Sequence, residues 1–155
     1  GNRLREQLFN WLSTIIQGAD CADLFAGSGA LSFEALSRGA AHCLAIEKST
    51  NAANWLGHNA QKMQENRITI ANSDSCCLVK QRAPFPFDII FIDPPFKDKN
   101  LNILIDKIEK LKILKPNSVI IIHRNKKIKE EIINKFKIFN NKIFGLSKIL
   151  FGKII

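Results

Sequence analysis

The stretch Cys21-Ala22-Asp23-Leu24-Phe25-Ala26-Gly27-Ser28-Gly29-Ala30-Leu31 decides the fold. An apolar run carrying one acid opens into two glycines. A helix-forming segment with Leu31, Phe33 and Leu36 on its apolar stripe follows, and Gly39 is placed to end it. This reads as a buried strand over 21–26, a tight turn, and a crossover helix over 30–38. The same unit recurs downstream. Strands are predicted over 42–47, 67–72, 87–93 and 119–123, and helices over 50–65, 75–81, 100–111 and 127–136. Upstream, residues 3–16 form an amphipathic helix with Leu4, Leu8, Leu12 and Ile15 on one stripe. Pro116-Asn117 is a turn, and the tail holds two short β-like stretches, 138–144 and 147–153.

Strands alternating with helices predict right-handed crossovers and a doubly wound α/β sheet. The expected sheet has seven mostly parallel strands, helices on both faces and an antiparallel last strand. The 155 residues form one domain, 1–155, without repeat or linker. In such a sheet ligands bind at the carboxyl ends of the strands. Asp23 with Gly27, then Glu47, Asp74 and Asp93 all follow strands, so one edge collects them.

Composition narrows the class. The chain is 46% hydrophobic and 24% charged, as ordinary globular proteins are. No apolar run approaches the roughly 20 residues that span a bilayer, and no signal peptide opens it, so no membrane role is expected. It begins without Met, which predicts an excised fragment or a tag remnant. Cys21, Cys43, Cys76 and Cys77 show no paired ligand spacing, and His42, His58 and His123 are scattered. Buried thiols in a reducing compartment are therefore expected, with no metal site. Residues 1–96 carry 8 Lys or Arg against 9 acids, and residues 97–155 carry 15 against 5. The C-terminal part is a candidate footprint for a polyanion, although Lys, Ile and Asn rise together there, as an AT-rich genome would also produce.

Each motif suggests chemistry. Gly27-Ser28-Gly29 lets a ligand approach the backbone, and the following helix offers free N–H groups to an anion. A nicotinamide fingerprint would place glycine at position 32, where Ser32 stands, so the turn suits a carboxylate better than a pyrophosphate. Glu47, 20 residues beyond Gly27, can accept both hydroxyls of a ribose, and Asp74 can accept from an adenine amino group. Either acid could instead be a solvated strand end or, in Ser73-Asp74-Ser75, part of a helix cap. In Asp93-Pro94-Pro95-Phe96 the prolines hold the backbone extended and leave carbonyls outward. Those carbonyls and the Asp93 carboxylate can accept both hydrogens of an exocyclic amine, and Phe96 can stack on its ring.

With these residues in place, the chain resembles the class I S-adenosylmethionine-dependent methyltransferases that act on exocyclic amines, whose signature is [DNS]-P-P-[YFW]. More narrowly it is similar to the bacterial 16S ribosomal RNA (guanine-N2)-methyltransferase family. The likeness is carried by Arg3-Leu4-Arg5-Glu6-Gln7-Leu8-Phe9-Asn10-Trp11-Leu12, by Asp23 to Leu31, by Glu34-Ala35-Leu36-Ser37-Arg38 and by Asp93 to Phe96.

The resemblance implies that Asp23, Phe25, Ala26, Gly27, Ser28 and Gly29 line the methionine end of S-adenosyl-L-methionine. Glu47 would take the ribose, Asp74 the adenine, and Asp93, Pro94, Pro95 and Phe96 the target guanine, with Asp93 bordering the cofactor too. It further implies a cytoplasmic monomer acting on 16S ribosomal RNA within a small-subunit assembly. The family's basic N-terminal β-hairpin segment is absent ahead of the first helix, which predicts weakened RNA affinity. His123 stands where an acid often ends the fifth strand. Two alternatives stay open: an adenine amino-methyltransferase, and a catalytically idle RNA-binding assembly factor of the same fold.

Overall fold

A computed structural model describes residues 2–75, 86–95, 101–128 and 135–155. Its order is α1 (Asn2–Trp11), β1 (Asp20–Asp23), α2 (Ala30–Ser37), β2 (His42–Ile46), α3 (Thr50–Lys62) and β3 (Ile68–Ala71). Then come β4 (Phe87–Ile92), α4 (Leu101–Leu111), β5 (Leu114–Asn125), β6 (Phe136–Phe144) and β7 (Ser147–Ile154). The strands form one sheet in the order β3-β2-β1-β4-β5-β7-β6. The five strands from β3 to β5 pair in parallel. The last strand, β7, inserts antiparallel between β5 and β6, as expected from sequence.

Period-two alternation explains why the central strands are apolar throughout. Ala22, Leu24, Ile90, Ile92, Ile120 and Ile122 point to one face, where Leu104, Ile105 and Ile108 of α4 cover them. Cys21, Ile89, Phe91, Val119 and Ile121 point to the other, against Leu8, Phe9 and Leu12 near α1 and Ala35 and Leu36 of α2. Leu56 of α3 packs on the same side through Ala45. A strand buried on both faces reads as a continuous hydrophobic run.

Several boundaries differ from those expected; the first strand ends at Asp23 and α3 at Lys62, and three further shifts have a local cause. The first helix stops at Trp11, and turns stabilised by bonds such as Ile15 N–H to Leu12 O follow. Ser13 and Thr14 are weak helix formers. The chain therefore slips its stripe: Ile16 is buried, while Ile15 is 42% exposed. The fifth strand starts at Leu114, because Pro116-Asn117 makes an irregularity within the ladder rather than a turn before it. Asn117 takes a positive φ of 69° there, and Pro116 has no N–H to give the ladder. Phe136 opens β6 instead of closing a helix. Most of the helix read over 127–136, and the one over 75–81, lie outside the described residues.

Cys21 and Cys43 are buried free thiols. Burial, reinforced by the charges of Asp88, Asp20 and Asp23, pushes the Cys21 thiol up to about 12, which makes it inert. Cys76 and Cys77 lie outside the described residues. No helix among those described is long and apolar enough to cross a membrane.

Candidate active site

The topological switch point lies between β1 and β4, whose carboxyl ends are tied by the Leu24 N–H to Phe91 O bond of 3.1 Å. Asp23 is the last residue of β1, Glu47 follows β2, and Asp93 follows β4. The three acids thus gather on one sheet edge, close enough that Asp93 and Glu47 each raise the pKa of Asp23.

The glycine turn is built by backbone geometry. Gly27 and Gly29 have φ of 56° and 85°, conformations that L side chains rarely adopt. The Gly29 N–H donates to Ala26 O at 2.8 Å, and Gly29 O accepts from the Phe33 N–H at 2.8 Å, starting α2. A Cβ on Gly27 would meet nothing within 4 Å, so the turn presents bare backbone to open space. Phe25 packs on the core face shared with α4, and Ala26 is buried beside Leu56. Ser28 is exposed.

Glu47 closes the turn from the side. Its Oε1 accepts from the Gly27 N–H at 2.9 Å and its Oε2 from the Ser49 N–H at 2.6 Å. A carboxylate has about four lone-pair sites, so capacity for ribose hydroxyls remains. Asn72, a residue not singled out from sequence, donates to the carbonyls of Glu47 and Lys48 at 3.0 and 3.1 Å and so holds this loop. Asp74 is half-exposed on the same edge, with Lys48 Nζ at 3.9 Å.

Asp23 is 1% exposed. Its Oδ2 accepts from the Ser32 hydroxyl at 2.7 Å, while Oδ1 is buried without a hydrogen-bond partner among the described residues. Burial, then the charges of Asp93 and Glu47, raise its pKa from 3.8 to about 6 despite the Ser32 bond. Position 32, notable in the sequence only as a missing glycine, thus carries the partner of the most buried acid. Asp23 Oδ1 keeps an unspent acceptor in the field of two further acids.

Asp93 and Pro94 are half-buried and Pro95 is exposed; Phe96 lies outside the described residues. Asp93 Oδ1 sits 3.0 Å from His123 Nδ1, and His123 Nε2 sits 2.8 Å from Ser147 Oγ. A cleft of about 190 Å³ opens beside them, walled by Leu4 and Leu8 of α1, Leu31 of α2, and Asp93, His123 and Ile149 at the strand ends. The structure therefore joins Asp23, Gly27, Gly29, Glu47 and Asp93 in one region.

Comparison with known proteins agrees with this geometry. The family model described as conserved hypothetical protein 95 matches residues 1–153. The chain is similar to ribosomal RNA small subunit methyltransferase D of Buchnera aphidicola subsp. Acyrthosiphon pisum, at 34% identity over 142 residues, covering 92% of this chain and 74% of that protein. The protein of the same description from Haemophilus influenzae is 39% identical over 129 residues, 81% of this chain and 67% of its own. Among solved structures, an Escherichia coli protein described as a presumptive methyltransferase superposes with a TM-score of 0.88 at 31% identity, covering 98% of this chain and 86% of that one. The chain therefore belongs to the conserved hypothetical protein 95 family, alongside the ribosomal RNA small subunit methyltransferases D, and has their Rossmann-like methyltransferase fold.

Proposed function

We propose that this protein transfers a methyl group from S-adenosyl-L-methionine to the exocyclic N2 of a guanine in 16S ribosomal RNA. One observation carries the reading: the Asp93-Pro94-Pro95 run ends β4 directly beside the glycine turn that ends β1, so an amine acceptor and a cofactor turn share one edge. The relatives' names supply the ribosomal RNA and the small subunit.

The residues present fit this cofactor. The open face of Gly27 can receive its methionine part, Glu47 its ribose and Asp74 its adenine. The orphaned oxygen and negative field of Asp23 suit its positive charges. When bound, S-adenosylmethionine supplies an electrophilic methyl group on a sulfonium. Asp93, with the carbonyls around Pro94 and Pro95, accepts hydrogen bonds from the guanine amine and aims its lone pair at that methyl. The Asp93 carboxylate, with water, would take up the proton that the amine gives up on transfer. These acceptors stabilise the positive charge developing on nitrogen, and orientation supplies much of the remainder.

A polyanion is accommodated on the flank formed by α1, β6 and β7. Arg3 lies 5.6 Å over the Phe144 ring, Lys142 5.7 Å over Trp11, and Lys153 5.6 Å over Phe139. Cations and aromatic faces interleaved on one rim suit phosphates and unstacked bases. Incubation with tritiated S-adenosylmethionine and unmodified small-subunit particles tests the function. Label released from 16S RNA as N2-methylguanosine is expected. Label in N6-methyladenosine, or none despite cofactor binding, would overturn it in favour of one of the two alternatives.

The raised pKa of Asp23 gives a pH prediction with a definite sign. Below about 6 the carboxyl is protonated and offers a cation nothing. Cofactor affinity is expected to be flat above pH 7 and to weaken as pH falls through 6, by up to about tenfold per unit. In the free chain the sign reverses. The stability this group contributes is fully present below pH 3.8 and is lost as pH rises through about 6. Calorimetry with S-adenosylhomocysteine between pH 5 and 8 is the measurement, and a constant affinity would remove Asp23 from cofactor binding.

A further inference from the structure

His123 has a place in the site that no motif assigns. Strands β4, β5 and β7 lie side by side, with Ile92 opposite Ile122, His123 opposite Ile149, and Asn125 opposite Ser147. Asp93, His123 and Ser147 share the strand parity of Phe91, Ile121 and Ile149, so all three side chains emerge on the α1 face of the sheet. There the imidazole bridges the other two, with Nδ1 3.0 Å from Asp93 Oδ1 and Nε2 2.8 Å from Ser147 Oγ.

A carboxylate oxygen accepts, so the His123 Nδ1–H donates to Asp93 Oδ1, and the other ring nitrogen, Nε2, shares a hydrogen bond with the Ser147 hydroxyl, which can give or take the proton there. Asp93 Oδ2 then has no partner among the described residues. The Asp93 side chain is 43% exposed and that of His123 27%, so neither is locked by core packing. Without the imidazole the carboxylate would be free to rotate in the mouth of the cleft.

We propose that His123 is a positioning residue for Asp93, oriented in turn by Ser147. It holds the carboxylate in one rotamer, with Oδ1 engaged and Oδ2 presented to the amine. This rests on the reading that Asp93 receives the amine.

Four variants test it in parallel: His123→Ala, His123→Asn, Ser147→Ala and Asp93→Ala. Single-turnover rate, S-adenosylhomocysteine affinity and RNA KM are measured for each. His123→Ala is expected to lower the transfer rate on the order of 10- to 100-fold, the effect of a misplaced group, with cofactor affinity and KM within about twofold. His123→Asn should recover most of the loss, because its amide nitrogen can donate where Nδ1 does. Ser147→Ala should fall between wild type and His123→Ala. An unchanged rate in His123→Ala, or no recovery in His123→Asn, overturns the proposal. Should His123→Ala unfold, His123→Leu is compared with His123→Asn. Equal rates for those two also overturn it. Asp93→Ala separates the levels: if it stays active the amine-site reading itself fails, and if it is dead while His123→Ala is active only the positioning role fails.

Discussion

Asp93→Ala is expected to slow methyl transfer on the order of 10²–10³-fold, the loss measured when one preorganised hydrogen-bonding group is removed from a transition state, while affinity for S-adenosylhomocysteine stays within about twofold. The separation follows from placement. Asp93 stands beyond the end of β4 with a side chain 43% exposed, and its hydrogen bond goes to His123. Its removal opens no cavity, since the core under it is made by Phe91, Ile92 and Ile122. The groups assigned to the cofactor, Gly27 and Glu47, hold each other through the 2.9 Å bond and do not touch it. Removing Asp93 also takes one negative charge from beside Asp23, which should ease ionisation there and protect cofactor binding. Single-turnover rates and calorimetry on the same preparation decide it. A variant keeping more than a third of the wild-type rate would mean that the amine is held elsewhere. A variant that loses cofactor affinity in proportion to rate would make Asp93 a cofactor ligand instead.

Much of this site was legible because its parts lie at strand ends, and strand ends show in sequence. The run Ile89-Ile90-Phe91-Ile92 is apolar throughout and buried, so Asp93 stands at its exit. The 20-residue interval from Gly27 to Glu47 likewise spans one helix and one strand. The partnerships were not legible. Ser32 bonding Asp23 depends on how α2 seats on β1, and Asn72 clamping the Glu47 loop and His123 facing Asp93 depend on which strands are neighbours and in what register. A usable signal existed for the last pair. Asp93 and His123 each lie one residue past an isoleucine, and those isoleucines are paired once β4 and β5 are assumed adjacent. Local propensity misled at Pro116-Asn117, where a turn signature sits inside a strand, and at Ile15, where the helix had already unwound.

The two glycines of the turn should fail in different ways when given a methyl group. Gly29 caps α2 with φ of 85°, and a Cβ there would stand 2.3 Å from Leu56 Cδ2 and 2.8 Å from Phe33 Cε2. Leu56 is fully buried against Ala26 and Ala45, so it has little room to yield. Gly29→Ala therefore combines about 1–2 kcal/mol for a left-handed L-residue with about 1–3 kcal/mol for overpacking. That is a large share of the roughly 5–15 kcal/mol holding a domain folded, and corresponds to a melting temperature lower by roughly 5–15 °C. Gly27, with φ of 56°, has nothing within 4 Å of its would-be Cβ, so Gly27→Ala should cost only the conformational part. Its methyl would project into the space where bare backbone is to meet the cofactor, and affinity should drop while the fold persists. Thermal melts and S-adenosylhomocysteine titrations of both variants should cross, Gly29→Ala being worse in the first and Gly27→Ala worse in the second per unit of stability lost. Equal melting losses would show that Leu56 relaxes freely. Unchanged affinity in Gly27→Ala would move the cofactor away from the turn.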